Sequence, residues 1–448
     1  MELVTVPELR RDLGPWAAAS LVVGTIIGTG VFLKTAVMAR AGGSAPWVLG
    51  AWAVAGALSF TGALTYAELG ARWPRAGGEY VFLREGFGPR AGYLYAWNRF
   101  WIGTPGSVAA YAVGTTTFLG RVFDVHGVTA KLLGVALIAV ITTLNCARII
   151  VGGAVQTALT ILKVLMIVGL AIGALAFARG GDFGRLSAAG GGWPGWSAFG
   201  AMVLAALWAY DGWNNLPMAA GEIRDPQRNL PRAIVLGVIA VLVIYALVNL
   251  GYFYALPFAE VAASSSVAQA TAATFLGGGA QVVLALAMTI STLSAMNGSI
   301  LSGARVPYAV SRDGLAPRPF ARLSATTHVP VVALVVQGAV ASVYALIGGF
   351  DELTDAVVFV SWLFYMSNAV TVLRLRKKSP PTGFRVPGYP LVPLVFVAVA
   401  ILLIVNSIWA APRASGLGFA MTALAAIIYQ LKYARRAAST GTHTPAST

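Results

Sequence analysis

Apolar runs recur from one end of the chain to the other, separated by short polar connections rich in Pro, Gly and Arg. About 20 apolar residues in a helix suffice to cross the hydrocarbon core of a bilayer. The pattern predicts about twelve spans, at roughly 14–41, 44–70, 90–119, 128–145, 150–178, 196–221, 231–256, 276–304, 329–348, 354–373, 390–411 and 416–433. Connections such as "RWPRAGGEY" and "RDPQRNLPR" carry the Pro and Gly stops that end helices. No long polar domain interrupts the series, and the tail from Ala437, "AASTGTHTPAST", reads as disordered.

Composition agrees with the pattern. Of the 448 residues, 58% are hydrophobic and 10% charged, with a mean hydropathy of +0.76. Soluble domains carry roughly 25% charged residues, so the chain is expected to be an all-α integral membrane protein. A transmembrane β-barrel would show shorter spans, about ten residues of alternating polarity. The opening "MELVTVPELRRDLGPW" has charged residues before an apolar run too long for a cleavable signal, so span 1 is expected to be retained. A single cysteine, Cys146, excludes an intramolecular disulfide framework. The net charge of +15 would suggest a nucleic-acid partner in a soluble protein. Here 22 of the 31 Lys and Arg residues fall in connections on the amino-terminal side of the bundle, 7 on the other, and Arg99 and Lys163 inside spans. That bias predicts cytoplasmic termini and an even number of spans.

Two spans depart from a smooth helix. Span 1 contains Gly24–Gly30, "GTIIGTG", and span 6 contains Trp208–Asn214, "WAYDGWN", followed by Leu216-Pro217. Each interior Gly weakens a helix by roughly 1 kcal/mol relative to Ala. Gly24 and Gly28 alone form a GxxxG packing face. An acidic residue, a Gly, Asn residues and a Pro in span 6 need a different account, because irregular backbone survives at membrane depth only inside protein or beside a watery cavity. Gly28 and Asp211 lie five spans apart, and broken helices at matching places of two halves are the sequence pointer to an inverted-repeat transporter. Half-helix N-termini suit a carboxylate and half-helix C-termini an ammonium, so the pair is suited to an α-amino acid zwitterion. In this reading Gly28 and Gly30 let the backbone leave the helix, Thr29 and freed N–H groups face the carboxylate, and Gly24 serves packing.

At these residues the chain resembles the amino acid–polyamine–organocation superfamily, and within it the L-type amino acid transporter branch. The resemblance rests on "GTIIGTGVF", "TYAELGARWPRAGGEYVFL", "NC" at Asn145-Cys146, "WAYDGWNNLPMAAGEIRDPQRNLPRAI" and "SAMNGSILSGARVPYAVSRDGLAP", in order along nearly the whole chain. It implies a LeuT-like core of five-plus-five inverted repeats, spans 1–5 over about 14–178 and spans 6–10 over about 196–373. Two accessory helices would follow over 390–433, with an N-terminal segment 1–13 and a tail 434–448 in the cytoplasm. It further implies a substrate carboxylate held by span 1 at Ile26, Ile27, Gly28, Thr29 and Gly30, and an amine held by backbone acceptors at Trp208, Ala209 and Asp211. Trp208 would occupy an aromatic gate position, and Ser294 and Asn297 of span 8 would lie nearby.

Lys163 sits mid-span in "TALTILKVLMIVGL", where a lone ammonium costs about 2.5–3.5 kcal/mol or more and needs a partner. The resemblance implies that it stands in for a sodium ion of related transporters, tying span 5 to broken span 1, and hence that transport is sodium-independent. Tyr245 matches a family tyrosine that could hydrogen-bond the unwound segment, with ordinary packing as the alternative. Asp211 has three readings: selection of cationic substrates, pairing with Lys163, or capping a broken helix end. Glu68 and Glu222 fall near predicted cytoplasmic span ends, where arginines are close in sequence. Animal members of the branch join a glycoprotein subunit through a cysteine between spans 3 and 4. The loop "GRVFDVHGV" has none, so a prokaryotic single-chain member in the cell membrane is expected, without a disulfide-linked heavy subunit.

The functional expectation is therefore a sodium-independent transporter of L-α-amino acids working by alternating access, as an exchanger. The alternative mechanism is a proton-coupled permease in which buried Lys163 releases and rebinds a proton. A membrane-embedded enzyme would need a catalytic constellation. The three histidines, His126, His328 and His443, fall in connections or the tail and do not cluster. No cofactor or metal is expected, and broken helices favour a closed-off site over a continuous pore.

Overall fold

The structure, a computed structural model, describes residues 9–187, 192–348, 350–377 and 383–434, the side chains of 121 and 350–356 excepted. Among these residues the chain is helical throughout, apart from one isolated parallel bridge between Leu13 and Ile223. The first span is two helices, α1 (Pro15–Ile26) and α2 (Gly30–Arg40), followed by α3 (Ala45–Arg72). A short helix α4 (Glu79–Phe87) precedes α5 (Pro89–Asn98), a π-helical turn (Arg99–Gly103) and α6 (Thr104–Phe123). Then come α7 (Gly127–Cys146), α8 (Ile149–Phe177) and the single turn α9 (Gly184–Ser187). The sixth span is α10 (Trp196–Ala209) and α11 (Asn215–Met218), with a 3-10 turn at Ala220–Glu222. It leads into α12 (Pro226–Ala255), the connecting helices α13 (Phe258–Ala263) and α14 (Val267–Leu276), and α15 (Ala280–Gly303) with α16 (Arg305–Arg312). The chain closes with α17 (Val331–Ile347), α18 (Phe350–Arg376), α19 (Leu391–Ala410) and α20 (Pro412–Lys432).

Proline at a first or second helical position opens α1, α3, α5, α12 and α20. There the missing N–H is one the helix could not have paired, and the fixed φ is already helical. Nine segments among the described residues are long and apolar enough to cross a membrane. Of the expected spans, the third, sixth and ninth fall short of that mark: α6 of the third is long enough but rich in Thr and Gly, the sixth is broken, and α17 is only 17 residues long. Helix boundaries also shift. The seventh span starts at Pro226 rather than 231, because Pro226 and Arg228 belong to its first turn. The helices α4, α13 and α14 occupy stretches expected to be connections or span ends. The expected tail from Ala437 lies outside the described residues.

Helices α1 and α8 pack on each other and on both α12 and α15, α12 also lies along α3, and α15 along α6. Large apolar side chains point outward from α8 (Ile161, Leu165, Ile172) and α20 (Ile427, Leu431), as a surface facing lipid requires. The interior holds Trp213, Tyr66, Tyr245, Tyr252 and Tyr365, each fully buried. Polar contacts sort the two ends of the bundle as charge does. At one end Arg305 makes a two-pronged, fully buried ion pair with Glu222, and Arg376 pairs with Glu68. At the same end Leu13 and Arg224 exchange backbone hydrogen bonds of 2.9 Å with Glu222 and Leu13. At the other, Arg40 donates to the Ala262 and Ser264 carbonyls and Arg185 to those of Tyr254 and Ala255.

Candidate functional site

The first interruption covers Ile27–Thr29. Helix α1 ends at Ile26, Ile27 turns extended (φ −73°, ψ 92°), and helix geometry resumes at Thr29. Gly30 plays a different part from the one expected: it is already helical, and it permits contact with the second interruption. A Cβ there would stand 2.5 Å from the Ala209 Cβ and 2.8 Å from its Cα. Gly24 is a packing glycine as expected, since a methyl group would collide with Gln156 and Thr160 of α8. The second interruption covers Tyr210–Asn214. Its pivot is Gly212, with φ of +130°, where a Cβ would come within 2.7 Å of the Thr25 carbonyl carbon and oxygen. Only glycine holds that backbone angle without strain.

Breaking a helix frees carbonyls that hydrocarbon cannot satisfy. Here side chains take them up. Lys163, fully buried on α8, donates from Nζ to the carbonyl oxygens of Gly24 (2.7 Å), Ile27 (2.5 Å) and Ser291 (3.0 Å). An ammonium has three donors, and three acceptors engage it. The Ser291 hydroxyl on α15 is shared between the Ile27 and Gly28 carbonyls at 3.0 and 3.1 Å. The Tyr245 hydroxyl on α12 lies 3.3 Å from the Ile26 oxygen and 3.0 Å from that of Ala209, so one group bridges both interruptions. Thr25 Oγ1 lies 2.9 Å from the Gly212 oxygen, which also accepts from Asn215 Nδ2 at 3.1 Å.

Between the interruptions lies a cavity of about 60 Å³, several times the ~10–15 Å³ that one water needs. Ile26, Gly28, Thr29 and Gly30 wall it from the first span, and Trp208, Ala209 and Asp211 from the sixth. Ser107 and Tyr111 of α6 and Val357 and Val358 of α18 also line it, and none of them was singled out from sequence. Over the Trp208 ring stands Lys34 Nζ, 4.6 Å from the centroid. The Asp211 carboxylate accepts from the Tyr365 hydroxyl (2.9 Å), not from Lys163, whose three donors go to carbonyls. Pairing of Asp211 with Lys163 is thereby corrected.

Two predicted residues stand outside the cavity wall. Ile27 is buried behind it and contributes its carbonyl to Lys163 and Ser291. Asn297 donates to Gln156 (2.9 Å) and Gly152 (3.3 Å) and accepts from Asn145 (2.8 Å), fastening α15 to α7 and α8. Sequence reasoning passed over Ser291, although Ser291, Ser294 and Gly298 recur on one face of a helix, a spacing that was available to it. It also assigned no task to Arg99. That arginine is buried on the π turn, its Nη2 donates to Asn215 Oδ1 at 2.7 Å, and Glu79 and Asp211 act on it electrostatically. π turns inside helices concentrate at functional sites.

An all-helical multi-pass membrane protein with a small cavity between two interrupted helices is the class that this architecture defines. The family model described as "Amino acid permease" matches residues 13–431, so the chain belongs to the amino acid permease family. It is 32% identical over 415 residues to the b(0,+)-type amino acid transporter 1 of Mus musculus, covering 90% of this chain and 84% of that protein. It is also 32% identical over 398 residues to the serine/threonine exchanger SteT of Bacillus subtilis (strain 168), covering 87% and 89%. The human cystine/glutamate transporter is 26% identical over 431 residues, covering 95% and 85%. The family and these relatives are amino acid transporters, not enzymes.

Proposed function

We propose that the chain is a sodium-independent exchanger of L-α-amino acids that works by alternating access in the cell membrane. The observation that carries this reading is the Lys163 ammonium, held by the Gly24, Ile27 and Ser291 carbonyls where the first span is broken. Three carbonyls converging on a fixed cation make a site that a mobile cation would otherwise have to fill, so the broken segment keeps its shape without sodium. The substrate carboxylate meets the N–H groups at the start of α2, around Thr29 and Gly30, and the ammonium meets carbonyls at the end of α10. Asp211, with one oxygen on Tyr365, adds a negative group beside the amine end, which favours zwitterions and cations over anions.

In this reading twelve helices cross the membrane and both termini are cytoplasmic. Spans 1–5 (about 14–178) and 6–10 (about 196–373) form inverted repeats, and the last two spans are accessory. The interruptions at Ile27–Thr29 and Tyr210–Asn214, five spans apart, support the repeat. The connection between α6 and α7 carries no cysteine, which supports a chain that works without a disulfide-linked subunit. The relative named as an exchanger, SteT, supports exchange over net uptake.

The test begins with a thermal-shift screen over the standard amino acids to choose the substrate. Its labelled form is then offered to proteoliposomes, preloaded or empty, in sodium or choline chloride, with and without an imposed pH gradient. Uptake is expected to require preloading and to be equal in both salts. Uptake by empty vesicles that follows the pH gradient would replace exchange with proton coupling, and dependence on sodium would remove the role given to Lys163.

A further inference from the structure

A second cavity, about 380 Å³, opens between α5 with its π turn, α16, the 3-10 turn Arg318–Ala321, α17 and the last turns of α20. Its wall is aromatic, with Trp97, Phe100, Trp101, Phe320 and Tyr433, and it is bounded by Lys432. Phe100 and Phe320 rings stand 5.4 Å apart, and Tyr93 stacks near Tyr433 at 5.3 Å, so the walls hold each other in place. No carboxylate is among the described residues that line it. The Trp97 Nε1 donor is shielded from solvent and has no acceptor among the described residues, although a buried tryptophan N–H ordinarily finds one.

We infer that this cavity is a binding site for an anionic phospholipid, its acyl chain along the aromatic wall and its headgroup at Lys432. Three observations converge. The outer face of α20 beside the cavity presents Ile427 and Leu431 outward, so the opening lies on a surface that faces lipid. The charged residue in its wall is Lys432; Arg318 opens the turn that carries Phe320, and Arg90 acts electrostatically on Tyr429 one turn before Lys432. Basic pockets between spans at a membrane face recognise anionic headgroups, and tryptophan and tyrosine favour that depth. The cavity shares no lining residue with the one between the interruptions, so the site stands independently of the transport mechanism.

The test titrates the full chain in neutral detergent with phosphatidylglycerol or phosphatidylcholine of identical acyl chains, read by native mass spectrometry. Wild type is expected to retain one phosphatidylglycerol at least about fivefold more tightly than phosphatidylcholine, the effect of one basic residue near a headgroup. Lys432→Gln should remove that preference while leaving weak binding of both lipids. Ala316→Trp, which fills the cavity with the charges intact, should abolish both, while either variant keeps the thermal stabilisation by amino acid. A second readout places a reporter in the wall: Phe320→Cys in a Cys146→Ser background should be shielded from thiol reagents by phosphatidylglycerol alone. Equal retention of the two lipids by wild type, or unchanged preference in both variants, overturns the proposal. Shielding of the reporter without lipid also overturns it, because residues 435–448 or a second copy of the chain would then be the occupant.

Discussion

The two interruptions free the same kind of backbone group and satisfy it differently. The carbonyls of the first, at Gly24, Ile27 and Gly28, are taken by Lys163 and Ser291, side chains of α8 and α15 that belong to the surrounding bundle. Those of the second, at Ala209 and Gly212, are taken by Tyr245, Thr25 and Asn215. Thr25 belongs to the first broken span and Asn215 to the second itself; among the described residues of the bundle, neutral hydroxyls alone reach the carbonyls of this break, Tyr245 of α12 at Ala209 and Ser59 of α3 at Tyr210. One break is anchored by a charge held outside it, while the other leans on its neighbour through a close-packed glycine and shared hydroxyls. The breaks therefore fail differently: the second has no room for a side chain at Gly212, against Thr25, whereas loss of the charge should loosen the first break and, through Thr25 and Gly30, the second with it.

The comparison can be broken at several points. Gly212→Ala should have the largest effect, since it combines a positive φ with a Cβ 2.7 Å from Thr25 backbone atoms. It is expected to lower the yield of monodisperse protein severely on size-exclusion chromatography, and wild-type behaviour would show that the segment can relax. Lys163→Met keeps bulk but takes a donor from three carbonyls; Ile27 retains the Ser291 hydroxyl and Ser291 its place in α15, so Gly24 is the group left unsatisfied, at about 1–3 kcal/mol. The protein should insert and purify, yet exchange should fall at least about tenfold, and unchanged kinetics in proteoliposomes would make the lysine peripheral.

Smaller effects sharpen the contrast. Tyr245→Phe removes the hydroxyl shared by both breaks and should weaken amino acid binding about fivefold, near the ~1 kcal/mol of one hydrogen bond. If Asn215→Ala proves as damaging to binding as Lys163→Met, the distinction between an externally and an internally held break fails. Trp208→Leu, which deprives Lys34 of its aromatic face, should cost the least, about 0.5–1 kcal/mol, visible as a two- to fivefold weaker amino acid titration by thermal shift.

How much was legible in the sequence differs between fold and site. Glycines, an acidic residue and a proline inside apolar runs announce broken helices, because lipid leaves so few ways to satisfy a backbone. A lysine mid-span likewise announces a partner, and the structure supplies one in the segment expected. The partner of Asp211 was not legible: Tyr365 comes from α18, far along the chain, and only packing brings it within 2.9 Å. Asn297 illustrates the converse. Its position on α15 suited the cavity, but helix rotation turned its amide toward Gln156, Gly152 and Asn145. Arg99 was recognised as a charge inside a span and nothing more, since a π turn leaves no mark in hydropathy.

By itself the sequence determined the membrane environment, the helical class, the places where two helices break and the need for a buried cation beside the first. Each follows from rules acting within one span: hydrocarbon thickness, backbone satisfaction and the cost of a lone charge. Tertiary structure alone decided which carbonyls Lys163 reaches, that Gly30 and Gly212 serve the contact between the breaks, and that Ser291, Tyr365 and Arg99 belong to the same polar interior. Those outcomes depend on the rotation and depth of helices remote in sequence, where a shift of one residue, about 100° around an α-helix, turns a side chain from cavity to neighbour.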